Sequence, residues 1–172
     1  LIESVGSNIT LKYPKNGEYR SAYVIANIDD EPTDEAMVFY EYTSNGSEED
    51  GLRVNILDKD EDGKWYSVKE LAGAGTDIDQ VIISPMGSNN QTDVFVGYQN
   101  LTNDEKTMEI YSYTDGDFKR VALDTYSVLE PLDINNDGYI ELITIQRSTN
   151  NDTGAVTAKA SMLNMKNNEI TR

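Results

Sequence analysis

The 172-residue chain contains no cysteine and no histidine. Without cysteine there is neither a disulfide framework nor a thiolate metal site, which fits a reducing compartment or an exported protein that does not rely on disulfides. Without histidine the commonest general base and the usual zinc ligand are missing, so Ser-His-Asp and Cys-His nucleophilic systems are excluded. Basic residues are scarce: 14 Lys and Arg stand against 31 Asp and Glu, for a net charge of -17. Phosphate binding needs clustered cations that release counterions, so nucleic acid is an unsuitable partner, as is an anionic membrane surface. No stretch approaches the roughly 20 apolar residues of a bilayer-spanning helix, so direct membrane insertion by this segment is not expected. No signal peptide is visible, and a start at Leu1 reads as a mature or trimmed piece of something longer. What the acidity favours is solubility and attraction for cations.

The apolar residues fall in short runs, not helical stripes. Ala22–Ala26, Ala36–Tyr40, Val54–Leu57, Val81–Ile83, Val94–Val96, Met108–Tyr113, Leu142–Ile145 and Ala160–Leu163 are rich in β-branched and aromatic residues and end in Gly, Asn, Asp or Pro. That pattern predicts many short strands joined by tight turns, an all-β chain. Only Lys69–Ala72 suggests a helix, and it runs into Gly73 and Gly75. Asp62-Gly63 and Asp115-Gly116 supply the positive φ angles that tight hairpin turns demand, and Asn167-Asn168 is expected to play the same part. The polar stretches 42–50 and 148–154 read as exposed loops.

Three segments align without gaps: 26–38, 84–96 and 132–144. In each, an apolar residue (Ile28, Met86, Ile134) is followed seven positions later by an acid (Glu35, Asp93, Glu141) and then by an apolar strand. The spacings of 58 and 48 residues suit a repeating unit of four strands, close to the 40–50 residues of a propeller blade. The chain therefore divides into approximate repeats 20–72, 77–124 and 126–172 of one β-propeller-like domain or fragment. About three four-stranded antiparallel blades are too few to close a ring, so a partial or open β-propeller is expected. Residues 1–20 either belong to a preceding unit or cover the first repeat.

At Asp133-Ile-Asn135-Asn-Asp137-Gly138-Tyr139-Ile-Glu141-Leu the chain resembles the FG-GAP and VCBS repeats, the blades of integrin-α-like propellers, which carry D-x-[DN]-x-D-G-x-x-[DE]-[LI] between their first two strands. The match is complete in the third repeat. The first has Asn27, Asp29, Glu31 and Glu35 at the ligand positions but Pro32 where glycine belongs, and the second keeps Asn89 and Asp93. The resemblance implies an extracellular or cell-envelope module, surface-anchored, lipoprotein or secreted and often bacterial, used for adhesion, scaffolding or binding.

Ca²⁺ wants six to eight oxygens at about 2.3–2.6 Å, and alternating side chains in a tight loop converge on one point. In the third loop Asp133, Asn135 and Asp137 would supply side-chain oxygens, Tyr139 its backbone carbonyl and Glu141 a carboxylate, with Gly138 permitting the reversal. An EF-hand would need an acid at position twelve, here Thr144, and flanking helices. The alternative is an Asn-Asp-Gly turn with solvated acids. In the first loop Pro32 opposes a glycine-like turn and favours a structural relic. Asp58-Lys-Asp60-Glu-Asp62-Gly63 also spells D-x-D-x-D-G, but Tyr66 at position nine makes it a charged turn. Trp65, Tyr66, Tyr98, Tyr111 and Tyr113 either stack a ligand or, more simply, fill the core. The sequons at Asn8, Asn45, Asn100 and Asn151 carry no function in a chain rich in Asn, Ser and Thr.

The expected function is a non-enzymatic, Ca²⁺-binding β-propeller-type surface module that binds an unknown protein or glycan. The alternatives are a fragment of a carbohydrate-active propeller enzyme, which needs two carboxylates across a cleft, and a purely structural spacer.

Overall fold

The computed structural model describes residues 1–43, 51–87, 91–100, 105–166 and 169–171. Among them the chain is all-β, built from three antiparallel sheets with a single 3₁₀ turn at Ile2–Val5. The first sheet runs β2 (Tyr23–Ala26), β3 (Glu35–Tyr42), β4 (Gly51–Lys59), β5 (Trp65–Ala72), and β1 (Ile9–Leu11) lies beside β2 on the same edge of β3. The second runs β6 (Asp77–Ser84), β7 (Asp93–Gln99), β8 (Lys106–Thr114), β9 (Asp117–Tyr126). The third runs β10 (Val128–Leu132), β11 (Glu141–Thr149), β12 (Val156–Lys166), β13 (Glu169–Thr171). Apart from β1, which pairs with β3 and not with β2, each is a meander in which consecutive strands pair, the arrangement that short connections permit.

The turns follow from local chemistry. Asp115 and Gly116 have φ of 55° and 76°, the two left-handed residues of a type I′ turn, and Thr114 pairs with Asp117 across it. Between β4 and β5, Asp60 Oδ1 accepts the N–H groups of Asp62 (3.0 Å) and Lys64 (2.8 Å), making the acidic run a turn. Lys69–Ala72 is strand, within β5. Most of the expected 42–50 loop and the Asn167-Asn168 turn lie outside the described residues.

The sheets stack through their side chains. Alternate residues of β3 point opposite ways: Met37 and Phe39 pack with Val81, Val94, Val96, Tyr98 and Phe118 of the second sheet, while Ala36, Val38 and Tyr40 face the N-terminal segment. The second sheet's other face, with Phe95, Met108, Ile110 and Tyr126, packs on Leu129, Leu142, Leu163 and Met165 of the third. Six consecutive residues are buried in both β3 and β7, which is why these strands read as unbroken apolar runs. Leu1 and Val5 of the 3₁₀ turn pack against this outer face together with Ile9 and Leu11, which belong to the sheet through β1.

Gly97 in β7 is required by close approach. A Cβ there would fall on the hydroxyl of buried Tyr126, which donates to Asp79 Oδ2 at 2.6 Å. Gly97→Ala is therefore expected to cost about 1–3 kcal/mol in urea denaturation through overpacking, and adding Tyr126→Phe should recover part of it. Recovery of nothing would mean that the hydroxyl is not what the methyl meets.

Candidate functional site

The acid that recurs seven residues after an apolar position has the same structural duty in all three aligned loops. Ile28 N–H donates to Glu35 Oε2 at 2.8 Å, Met86 N–H to Asp93 Oδ2 at 3.0 Å, and Ile134 N–H to Glu141 Oε2 at 2.9 Å. Each acid is the first residue of its sheet's second strand and is buried, with exposures of 1%, 1% and 8%. A loop N–H without a ladder partner needs an acceptor, and the carboxylate provides one while closing the loop. Burial is the largest influence on Glu35 and Asp93 and holds both above the usual carboxylate range against the lowering effect of these hydrogen bonds.

In the third loop this clasp closes a turn crowded with oxygens. Asp133 accepts the N–H groups of Asp137 (Oδ1, 3.1 Å) and Gly138 (Oδ2, 3.0 Å), Asn135 Oδ1 accepts Asp137 N–H at 2.9 Å, and Asp137 Oδ1 accepts Tyr139 N–H at 2.9 Å. Asn136 and Gly138 sit at φ of 59° and 89°, which bends the chain back on itself. The Asn135 amide donates to Asp137 Oδ2 at 2.9 Å and lies 3.5 Å from Glu141 Oε1. Asp133, Asn135, Asp137 and Glu141 are thus brought to one turn, and Tyr139 lies within it. Among the described residues no three Asp or Glu side chains stand at metal-ligand spacing. The donor set is all oxygen and suits a hard cation such as Ca²⁺, provided that Asn135 turns its oxygen inward and Glu141 offers Oε1. Beside the loop lies an open cleft of about 450 Å³, lined among others by Asn135, Asp137, Glu141, Met86, Met162 and Met165.

The other two loops differ. In the first, Asn27 donates to the Glu31 carbonyl at 2.6 Å and Asp29 accepts Glu31 N–H at 2.8 Å, so local hydrogen bonds engage two of the residues at ligand positions. In the second, Ser112 Oγ donates to Asp93 Oδ1 and completes that carboxylate's partners, while Asn89 lies outside the described residues. The Pro85 carbonyl accepts Ile140 N–H at 3.0 Å and ties the second loop to the third.

Of the aromatics, Tyr98 and Tyr111 are core, Trp65 and Tyr113 pack against core clusters, and Tyr66 is exposed. Asn8 opens β1 at φ 64°, and Asn151 lies in the β11–β12 turn. The Asn45 sequon and Leu101-Thr102 lie outside the described residues.

A second cleft, of about 530 Å³, lies between β6 and β10 and is flanked by Asn16–Tyr19. Its buried floor is Asp79, which accepts Tyr126 O–H, Asn16 Nδ2 (2.8 Å) and an ion pair from Lys106 (2.7 Å). Asp79 sits at an irregularity in the β6–β7 register, which turns it inward. The only sequence signal was an acid inside an apolar strand.

Compared with protein-family models, curated proteins and solved structures, the chain matches none.

Asp93→Ala strands a buried N–H and a buried hydroxyl together, and should cost about 2–4 kcal/mol in chemical denaturation; Glu141→Ala, at the rim, should cost about 1. Because Glu35 and Asp93 titrate above their unfolded values, their contribution to stability is full below the ordinary carboxylate range and is lost as pH rises through the raised values. Urea midpoints measured at neutral and mildly acidic pH should therefore diverge less in Asp93→Asn than in the parent chain.

Proposed function

We propose that the chain is a non-enzymatic, Ca²⁺-binding module of β-propeller type, carried by an extracellular or cell-envelope protein and used to bind a protein or glycan. The observation that carries this reading is the third loop, where Asp133 holds two backbone N–H groups and Asn135, Asp137 and Glu141 gather at the same turn. When bound, the ion supplies positive charge that fixes the turn; Asp133, Asn135, Asp137, Glu141 and the Tyr139 carbonyl would hold it.

Three sheets of sequential antiparallel strands, stacked face on face, support blades of an open or partial propeller. The 3₁₀ turn that packs Leu1 and Val5 on the outer face of the first sheet favours an open array over a ring closed at that face. Buried acids with internal partners support a non-catalytic reading: Asp79 is held by Lys106 and Tyr126, and Glu109 accepts from Arg120 at 2.5 Å and Tyr111 at 2.7 Å. The cleft beside the third loop, lined by Asp137, Glu141 and three methionines among other residues, is a suitable surface for a partner.

Calorimetric titration with Ca²⁺ and melting with and without chelator test the reading. Saturating Ca²⁺ should raise the midpoint by several degrees, consistent with about 2–4 kcal/mol of linkage at 100–1,000 times Kd. Asp137→Ala should remove most of that rise. A melt indifferent to both Ca²⁺ and chelator overturns the metal assignment.

A further inference from the structure

Residues two and four places after the recurring acid share one face of each sheet's second strand. In the first sheet Met37 and Phe39 stand there, paired with Ile56 and Val54, and the second sheet covers them. In the second sheet Phe95 stands there, paired with Ile110, and the third sheet covers both. The loop residue held by the acid is buried with them, Ile28 at 1% exposure and Met86 at 4%.

In the third sheet the same positions hold Ile143 and Ile145, and this face is bare. Ile143 pairs with Glu130 and Met162, and Ile145 with Val128 and Ala160. Among the described residues neither isoleucine belongs to a core cluster, Met162 is 44% exposed, and Ile134, the counterpart of Ile28, is 51% exposed. Val128, Leu132 and Val156 lie on this side too and are exposed, whereas Leu129, Leu142 and Leu163 on the other side are buried. A contiguous apolar face of this kind marks an interaction surface. Strand spacing and rise give β10–β12 a face of about 15 Å by 30 Å. Covering it removes on the order of 600 Å² from each partner, the lower end of stable interfaces.

The chain already repeats one interface, sheet on sheet, and the bare face continues it. A second copy has one comparable face to offer. Both faces of its second sheet are covered internally, and Leu1 and Val5 occupy the outer face of its first, which leaves the third-sheet face itself. That face carries two charges of opposite sign, Glu130 and Arg147, and among the described residues neither makes an ion pair. A two-fold axis midway between them sets each against its opposite in the partner. We propose that the outer face of the third sheet is a two-fold dimer interface, covered by the same face of a second copy of this chain. The interface goes beyond the Ca²⁺ reading and does not rest on it.

Sedimentation equilibrium of the full chain, run in excess chelator, tests the interface. The parent chain should pass from monomer to dimer in the micromolar range. Met162→Glu, which would bury an unpaired carboxylate between the copies, should weaken association by about tenfold or more. Val68→Glu, at an exposed position of β5, should leave it unchanged. Because Met162 is exposed within one chain, its variant should melt with the parent at dilutions where both are monomers. Arg147→Glu alone should weaken the dimer, and adding Glu130→Arg should restore it. A chain that stays monomeric at millimolar concentration, or a dimer indifferent to Met162→Glu, overturns the interface. Assemblies that grow beyond two copies, or a charge swap that restores nothing, overturn its two-fold symmetry.

Discussion

A backbone N–H left without a partner where a sheet's first strand turns toward its second is the constraint that shapes this chain. Three times the solution is the same: a carboxylate, placed as the first residue of the second strand, reaches back and accepts it. Burying a carboxylate there is unfavourable, and its hydrogen bond to the otherwise orphaned N–H satisfies the amide while offsetting only part of the cost of burial. The interaction also fixes the loop's length, because the acceptor must arrive seven residues after the donor. That common length lets the third loop carry a glycine turn and the first carry a proline while the sheets beyond them remain alike.

The same economy governs the rest of the interior. β3 and β7 are buried on both faces, so polar groups reaching the interior must bring their partners with them. Asp79 is matched by Lys106, Tyr126 and Asn16, and Glu109 by Arg120 and Tyr111. Two cations, Lys106 and Arg120, thus go to buried acids, while Lys69 and Lys119 pair with exposed ones. Glu35 departs from that rule, since its second oxygen faces a carboxylate and not a hydroxyl or an amide.

Much of this was legible beforehand. Asp115-Gly116 demanded a hairpin because only a few residues accept two positive φ angles, and short apolar runs between turn residues demanded strands. The recurrence of an acid at Glu35, Asp93 and Glu141 was also visible. Its duty was not: spacing alone presents an acid at that position as a metal ligand, whereas the fold commits one of its oxygens to the backbone first. Asp58 read as part of a charged turn because it precedes Asp60 and Asp62, yet it belongs to β4 and stands opposite Glu35. No local pattern reports such a pair, since it depends on strand register.

The sequence by itself determined the all-β class, the turn positions and the oxygen-rich character of the loop at Asp133 to Glu141, because these follow from φ preferences, β-branching and side-chain chemistry within a few residues. Only the tertiary structure decided that the N-terminal turn packs on the first sheet while β1 joins its edge, that a bulge turns Asp79 inward under Tyr126, and that three look-alike acids meet three different neighbours. Those outcomes depend on which strands pair and which faces stack, and such contacts join residues tens of positions apart that no local periodicity can connect.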